Sequence, residues 1–407
     1  MYRRVKNAIT IANFLKRESN RKAILRASRA GPLVSPRFNI NAVNRLPLPN
    51  LKRKPSVLIV YNPYLRQCVR YRVQQKIEAL RRQDIQYEVI PENELKDRSA
   101  LRGFTHYLFQ RPEPTEAALQ AMLDSAAQGK VILDIDDAIF SKEALDSNPG
   151  LKGLSSHLVA SFYKAVPYYQ EMLRVAHNYC ASTKPLAELA SKHRSGQVTL
   201  WRNSIDEQHL AVARYYSEQE WPVKLPFNLL MTSLSSGVEH DLDQAKDIIR
   251  EVMARESTCV LSLAGPPPKT DWLASLEGRV RSLPALNYLP HLFRVARFPV
   301  TFVPLADNIF NQCKSAIRVQ ESFLLATDIL CSGTHEFAHV RKELEAGDTI
   351  YVLDNQDSAI EHCIRALTRR QERKDIRIAI GSRLERICKS TIYLPNVSDV
   401  YVKEILQ

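Results

Sequence analysis

Continuous apolar runs and helical patterns alternate along most of this chain. Runs such as VLIVY and VIL are unbroken by polar residues, which is typical of strands buried on both faces. Between them lie stretches such as RVQQKIEALRRQ, whose apolar residues recur every three or four positions and predict amphipathic helices. Strands and helices in alternation form a parallel sheet covered by helices on both sides. The pattern therefore predicts an α/β protein.

The predicted strands fall into two groups along the chain. The first group is SVLIVYN, QYEVIP, HYLFQR, KVILDID, NYCAS and QVTLWRN. The second group is NLLMTSL, CVLSLAG, PVTFVPL, DILCSG and TIYVLD. Each group has helical patterns between its strands, so each predicts one doubly wound sheet.

A polar stretch separates the two groups. Residues 207–226 contain two prolines and are expected to form a boundary. We therefore expect a first domain at 55–225, a second at 226–388, and a tail at 389–407 that returns to the first domain. Ligands of such sheets bind beyond the carboxyl ends of the strands. The expected site is a cleft between the two domains.

The first 54 residues differ from the rest in charge. They contain fourteen Lys or Arg and one acid, whereas the whole chain has a net charge of +13, so the remainder is neutral. Residues 1–30 predict an amphipathic helix, because apolar residues lie three or four apart at Val5, Ile9, Ala12 and Leu15. A proline-rich linker follows. We expect this arm to bind an anionic membrane surface, with a solvated extension, nucleic-acid binding or organelle targeting as alternatives. The neutral remainder argues against nucleic-acid binding by the body.

The cysteines and the hydropathy pattern indicate the compartment. The seven cysteines are scattered singly without a C-x-x-C pair, which is typical of free thiols in a reducing cytoplasm. No run of about 18 apolar residues could span a membrane, and residues 1–30 lack the apolar core of a signal peptide. The expected location is cytoplasmic, peripheral on the inner face of the cytoplasmic membrane.

The segment PLADNIFNQCKSAIRVQES, residues 304–322, combines charge and spacing in a way that suggests a binding site. We expect a strand to end at Leu305 and a helix to begin near Cys313. Lys314, Arg318 and Glu321 then share one face of that helix. Two cations near a helix N-terminus favour a diphosphate, and the carboxylate one turn later can accept from ribose hydroxyls. The alternative is a solvated helix face with one ion pair.

Two further stretches contain residues that can bind phosphate or metal. In LSSGVEHDLD, Ser236 and Gly237 allow backbone amides to approach a phosphate, and His240 and Asp243 open the next helix. HEFAH, at 335–339, matches the H-E-x-x-H zinc pattern. Its helix is interrupted by charges and no third ligand stands out, so we do not expect a zinc site.

Four segments, in order, resemble those of GT-B glycosyltransferases of the large retaining group called family 4. They are VLIVYN with VRYRVQQKIEAL, QRPEP with GKVILDIDDAIF, SSGVEHDLD, and VPLADNIFNQCKSAIRVQE. The resemblance covers about residues 55–390. Arg318 stands where that pattern usually has lysine, and HEFAHVRKELEAGDTIYVLD replaces the usual Gly-rich tail. Arginine still binds phosphate, and does so with a fork geometry.

The resemblance implies two Rossmann-like domains facing across a cleft, beside the basic arm. It implies transfer of a sugar from a nucleoside-diphosphate donor to a glycan or lipid-linked glycan, with retention and without metal or cofactor. This activity fits bacterial surface-polysaccharide synthesis, including lipopolysaccharide. The alternatives are a non-catalytic glycan- or partner-binding subunit and another GT-B enzyme, either a sugar-nucleotide epimerase or an inverting transferase.

The resemblance also implies residue roles. The expected catalytic residues are Lys314, Arg318, Asp136 and Asp137. The expected donor-binding residues are Ser236, Gly237, His240, Asn311, Lys314, Arg318 and Glu321. The expected acceptor-side residues are Arg72, Arg111 and Asp134.

The D-I-D-D stretch allows three interpretations. Asp134 and Asp136 share one strand face, a spacing that holds a divalent metal in GT-A enzymes, whereas the GT-B resemblance implies no metal. We expect Asp136 and Asp137 to line the acceptor side of the cleft against Arg111. A buried ion pair that fixes two strand ends is the structural alternative.

Overall fold

The computed structural model describes most of the chain beyond the basic arm. The described residues are 54–65, 68–95, 98–218, 228–232, 238–265, 270–276, 278–284, 286–369 and 373–407. The arm expected at residues 1–30 lies outside them, as do Ser236 and Gly237. No helix in the described ranges is long and apolar enough to cross a membrane. All seven cysteines are described, and none forms a disulfide.

The first domain contains a six-stranded sheet in which every neighbouring pair is parallel. Its spatial order is β2-β1-β3-β4-β5-β6. All six strands lie where the apolar runs predicted them. They are β1 (Ser56–Tyr61), β2 (Gln86–Pro91), β3 (His106–Gln110), β4 (Lys130–Asp134), β5 (Asn178–Ala181) and β6 (Gln197–Leu200).

Helices cover both faces of this sheet. One of them begins with a π-helical turn, Val69–Gln74, in which Arg70 and Arg72 are buried and Tyr71 is partly buried. Such turns are rare and occur mostly at functional sites. The helices are α1 (Gln75–Arg82), α2 (Glu116–Ala126), α3 (Lys142–Ser147), α4 (Ser156–Val175) and α5 (Lys184–Ser191), with short 3₁₀ turns at Glu92–Glu94, Arg98–Leu101 and Pro149–Gly153.

The first part of the stretch expected to form a boundary, 207–226, is helical. Residues Glu207–Glu218 form helix α6, whose Leu210, Ala213 and Tyr216 are buried in the core that the second domain provides. The stretch is polar in composition because Glu207, Gln208, Arg214 and Glu218 face solvent. A three-residue apolar spacing within it was the overlooked signal.

The second domain contains another parallel six-stranded sheet, in the order β12-β11-β10-β7-β8-β9. Five of its strands were predicted. Strand β9 was missed because it is a sheet edge whose polar residues Arg281 and Ser282 are exposed. The strands are β7 (Asn228–Thr232), β8 (Val260–Ala264), β9 (Val280–Leu283), β10 (Val300–Val303), β11 (Asp328–Cys331) and β12 (Ile350–Val352).

Nine helices accompany these strands in the described residues. They are α7 (Val238–Asp243), α8 (Lys246–Arg255), α9 (Asp271–Ala274), α10 (Tyr288–Val295), α11 (Ile309–Gln312), α12 (Ile317–Leu324), α13 (His335–Glu343), α14 (Gln356–Arg369) and α15 (Arg373–Lys389). The helix expected to begin near Cys313 begins instead at Ile317. Lys314 therefore lies in the connection between α11 and α12.

The chain passes between the domains twice, at neighbouring places. Ile205 donates its N–H to the Ile392 carbonyl at 3.0 Å, and Leu394 donates to the Ile205 carbonyl at 2.8 Å. Helix α16 (Leu394–Leu406) then packs on the first domain, where Leu394 and Val402 join a core cluster that includes Trp201. Two doubly wound sheets form the molecule, which confirms the predicted fold class.

Candidate active site

The two domains meet at Asp137, just beyond the carboxyl end of β4. Its Oδ2 accepts a hydrogen bond from Arg111 Nη1 at 2.6 Å, and its Oδ1 accepts from Lys314 Nζ at 2.6 Å. Arg111 Nη1 also lies 3.3 Å from Asp136 Oδ1. The expected contact of Asp136 and Asp137 with Arg111 is thus present. Lys314, from the second domain, adds a further cation to it.

This group is accessible from the cleft. The Lys314 side chain is 35% exposed and that of Asp137 is 20% exposed. Burial alone would raise the pKa of Asp137, but the charges and hydrogen bonds of Lys314 and Arg111 outweigh burial and hold that pKa well below its usual value. Asp137 is therefore an ionised carboxylate between two cations.

Arg111 is held in an unusual backbone conformation. Its φ is +42°, in the left-handed region that non-glycine residues rarely adopt, and its N–H donates to the Asp134 carbonyl at 2.8 Å. Such conformations carry strain and concentrate at functional sites. The turn directs the guanidinium toward Asp136 and Asp137 rather than along the strand.

Arg72 and Asp134, expected on the acceptor side, lie inside the first domain. Arg72 Nε and Nη2 donate to the two Asp134 oxygens at 2.8 and 2.9 Å, and Lys76 Nζ lies 2.5 Å from Asp134 Oδ2. Neither Arg72 nor Asp134 has exposed side-chain surface, so this geometry does not favour direct contact with an acceptor. Arg72 also donates to the Trp201 carbonyl, so the pair joins the ends of β4 and β6 beneath the cleft.

The connection between α11 and α12 places Lys314 toward the first domain. Its ammonium lies 4.5 Å from the centre of the Phe310 ring. Asn203, from the first domain, donates to Ser315 Oγ at 3.1 Å, and the Thr183 hydroxyl donates to the Cys313 carbonyl at 3.0 Å. Lys314 and Arg318 therefore do not stand on one helix face as expected, because α12 starts after the lysine.

Arg318 and Glu321 do share a face of α12. Glu321 is buried, and its Oε1 accepts from the Tyr71 hydroxyl and lies 3.4 Å from His209 Nε2. Burial lowers the pKa of Arg318, against the opposing charges of Glu321 and Asp241. The two residues proposed from spacing thus form part of a partly dehydrated charged pocket.

Asp206 and His209, which the sequence analysis missed, extend this pocket. His209 Nδ1 lies 2.8 Å from Asp206 Oδ1, and Asp206 Oδ2 pairs with Arg70. Burial alone would lower the pKa of His209, but hydrogen bonds to Asp206 and Glu321 raise it. Their spacing at the start of α6 was available from the sequence, but the polar stretch had been interpreted as a linker.

Helix α7 contributes Asp241 rather than His240. Asp241 Oδ1 accepts from the Ala306 N–H at 2.8 Å and from Asn311 Nδ2 at 3.0 Å, and burial raises its pKa. Asn311 also donates to the Ala306 carbonyl at 2.9 Å, so it holds the loop that leads to Lys314. His240 is exposed on α7.

A further carboxyl group lies beyond the end of β2. Both Glu92 oxygens accept from the Glu113 N–H, at 2.9 and 3.0 Å, and burial raises the pKa of Glu92 to about 7. Glu113 follows β3, so both groups stand at the edge of the sheet that carries Arg111. This carboxyl can change protonation near neutral pH.

The HEFAH segment serves a structural contact. Glu336 is buried, and it accepts from Arg202 Nε at 2.8 Å and from the Lys184 N–H at 3.0 Å, both in the first domain. A carboxylate at the N-terminus of α5 complements the helix dipole. Within the described ranges, no group of three or more His, Cys, Asp or Glu side chains is placed to hold a metal ion.

Comparison with known proteins identifies the fold. No protein-family model and no curated protein matches the chain. The α,α-trehalose-phosphate synthase (UDP-forming) from Burkholderia vietnamiensis is similar with a TM-score of 0.51 and 9% identity, over 87% of this chain and 99% of that one. A putative UDP-N-acetylglucosamine 2-epimerase from Listeria monocytogenes has a TM-score of 0.48 and 11% identity, over 87% and 96% of the two chains. Anabaena Alr3699/HepE, solved with UDP and glucose, has a TM-score of 0.48 and 12% identity, over 86% and 98%. At 9% identity the likeness to the synthase shows the fold alone, and the two parallel six-stranded sheets agree with that GT-B fold.

Proposed function

We propose that this protein is a glycosyltransferase that moves a sugar from a nucleoside-diphosphate donor to a hydroxyl of a glycan or lipid-linked glycan. The observation that carries the proposal is the convergence of Lys314, Asp137 and Arg111 where the two domains meet. The motif resemblance and the GT-B fold agree with this assignment. Sugar transfer with retention and without metal is the finer proposal.

The donor diphosphate would bind on the second-domain side. Its departure leaves negative charge on the phosphates, and preorganised cations stabilise that charge in the transition state. Lys314 and Arg318 supply the cations, and the amides of Ser236 and Gly237, outside the described residues, would complete the phosphate turn. Glu321 would accept hydrogen bonds from the ribose. Asn311 and Asp241 hold the loop, and His240 would act at its outer edge.

Lys314 has a partner that a diphosphate would replace or share. In this structure its ammonium pairs with Asp137. A diphosphate carries more negative charge than one carboxylate, so it would compete with Asp137 for the ammonium. Donor binding would then release Asp137 toward the acceptor.

The acceptor would bind on the first-domain side. Asp136, Asp137 and Arg111 present two carboxylates and a guanidinium, which bind sugar hydroxyls well. Arg72 and Asp134 support this edge from inside through their buried pair. Their proposed role is therefore to position the acceptor side without contact to the substrate.

The first experiment measures thermal stabilisation against UDP-, GDP-, dTDP- and CMP-sugars, with EDTA and with Mg²⁺. A ligand at 100 times its Kd adds about 2.7 kcal/mol of stability. Stabilisation by one donor class, unchanged by EDTA, followed by transfer to an acceptor supports the proposal. Binding without transfer supports the alternative of a non-catalytic glycan- or partner-binding subunit. Stereochemical analysis of the product separates retention from inversion, and product identity excludes epimerisation.

The basic arm would bring the enzyme to a lipid-linked acceptor. Its fourteen cations and single acid favour an anionic bilayer, which implies a peripheral location on the cytoplasmic membrane and a role in surface-polysaccharide synthesis. Sedimentation with vesicles of phosphatidylcholine alone and with anionic lipid tests this. Binding that requires anionic lipid and falls with salt supports it, whereas equal recovery with both kinds of vesicle contradicts it.

A further inference from the structure

Glu321 belongs to the second domain, but parts of the chain outside that sheet hold its carboxylate. The Tyr71 hydroxyl, on the π-helical turn of the first domain, donates to Glu321 Oε1. His209 Nε2, on α6, lies 3.4 Å from the same oxygen. Among the described residues, both contacts therefore fall on Oε1.

A row of buried charges continues from this carboxylate. His209 Nδ1 contacts Asp206 at 2.8 Å, Asp206 pairs with Arg70, and the Arg70 guanidinium lies 4.7 Å from the centre of the Tyr288 ring. The row is Glu321, His209, Asp206 and Arg70, so negative and positive charges alternate when the histidine is protonated. Each buried charge is compensated by its neighbours, and a lost member leaves the next one uncompensated.

We propose that Tyr71 and His209 are positioning residues of the nucleotide site, which hold Glu321 by Oε1 so that Oε2 accepts from the ribose hydroxyls. This rests on the proposed function, in which Glu321 binds the donor ribose. It assigns part of donor recognition to the first domain. Nucleotide affinity then depends on how the two domains are placed.

The ionisation of the row agrees with this role. Burial alone would raise the pKa of Glu321, but His209, His291 and Tyr71 lower it, so the carboxylate stays charged in a partly dehydrated pocket. A charged acceptor forms stronger hydrogen bonds than a neutral one. A carboxylate held from one side is also preorganised, because its rotamer does not have to be fixed by the ligand.

The test compares Tyr71→Phe with wild type in the full chain. The probes are the nucleoside diphosphate that stabilises the wild type most and its 2′,3′-dideoxy analogue. We expect Tyr71→Phe to weaken the ribonucleotide about tenfold by calorimetry and to leave the dideoxy analogue unchanged. The dideoxy analogue lacks the groups that Glu321 would bind, so a specific positioning effect disappears with it.

Tyr163→Phe is the matched control. Tyr163 also donates to a carboxylate, Asp146 Oδ1 at 2.7 Å, but on the exposed side of the first domain. The Tyr163→Phe variant should bind both probes as tightly as the wild type does. His209→Gln is a second variant, which removes the charge and should weaken the ribonucleotide alone.

Each result is decisive. Equal loss for both probes, or no loss with either variant, overturns the positioning role while the proposed function stands. A wild type that binds no nucleoside diphosphate overturns the proposed function itself. The circular dichroism spectrum and the unfolding midpoint of Tyr71→Phe show whether this variant is folded.

Discussion

Two of the charged contacts that join the domains differ in their access to solvent. The pair of Asp137 with Lys314 is partly exposed and is one contact across the cleft. The row from Glu321 to Arg70 is buried and contains four charged groups. Exposed pairs contribute little to stability, whereas a buried pair that loses one member is strongly destabilised. The buried row is therefore suited to fixing the domain arrangement, and the exposed pair is suited to exchange with a ligand.

The largest expected effect comes from breaking the buried row. Asp206→Asn keeps the shape but leaves Arg70 without its carboxylate and His209 with Glu321 alone, and we expect a loss of about 3–5 kcal/mol of unfolding free energy. Urea unfolding followed by circular dichroism measures it. A change below about 1 kcal/mol would show that the row does not hold the domains.

The next largest effect concerns catalysis. Lys314→Ala should fold normally but lower kcat roughly 10²–10³-fold, because one preorganised cation contributes about 2.7–4 kcal/mol to the transition state. Steady-state assays with the donor found by thermal stabilisation measure this. Lys142→Ala is the matched control, since Lys142 also pairs with an aspartate, Asp146 at 2.7 Å, but on an exposed helix surface. Near-wild-type turnover in a folded Lys314→Ala would remove this residue from the mechanism.

A smaller effect distinguishes the exposed pair from the buried row. Asp137→Asn should lower the unfolding free energy less than Asp206→Asn does, because Lys314 is 35% exposed and Arg111 keeps Asp136 as a partner. It should also bind the nucleoside diphosphate up to about fivefold more tightly, since Lys314 no longer exchanges partners. Calorimetry of the variant and of the wild type tests both the unfolding free energy and the nucleotide affinity. Weaker nucleotide binding would contradict the proposed competition.

The smallest expected effect is the pH dependence of the buried row. The pKa of His209 is raised in the folded protein, so its contribution is present at low pH and is lost as pH rises through that pKa. Unfolding free energy should therefore fall with rising pH above about 6.5, the usual histidine pKa. His209→Gln should have a shallower slope, since Glu92, whose pKa burial raises to about 7, still titrates in this range, and an unchanged slope in that variant would assign the titration elsewhere. The pKa of Asp137 is lowered, so its ion pair is lost only in acid and does not change the unfolding free energy with pH above about 6.5.

Much of the fold could be predicted from local patterns, and the failures have physical causes. Eleven strands were located because buried parallel strands are continuous apolar runs. Strand β9 was missed because an edge strand keeps polar residues, and α6 was missed because its three-residue apolar spacing lies in a mostly polar stretch. The start of α12 was placed too early because propensity alone does not show where a connection such as that around Lys314 ends.

The site divides in the same way. The spacing and the motif resemblance predicted Lys314, Arg318, Asp136 and Asp137 as site residues, and the structure brings Lys314, Asp136 and Asp137 together around Arg111. Arg72 and Asp134 were assigned to a surface that they do not reach, since a strand pattern shows which face a residue takes but not what covers that face. Asp206 and His209 lie in none of the recognised motifs, and Tyr71, although it lies in the VRYRVQQKIEAL segment, was given no role.

The sequence by itself determined the alternation of strands and helices, the two sheets and the neutral body beside a basic arm, because each depends on residues that are close along the chain. Only the tertiary structure decided which charges meet. Lys314 and Asp137 are 177 positions apart, and Tyr71 and Glu321 are 250 apart. Such contacts depend on how two domains pack, and periodicity records the neighbours within one helix or strand but not the partners across a cleft.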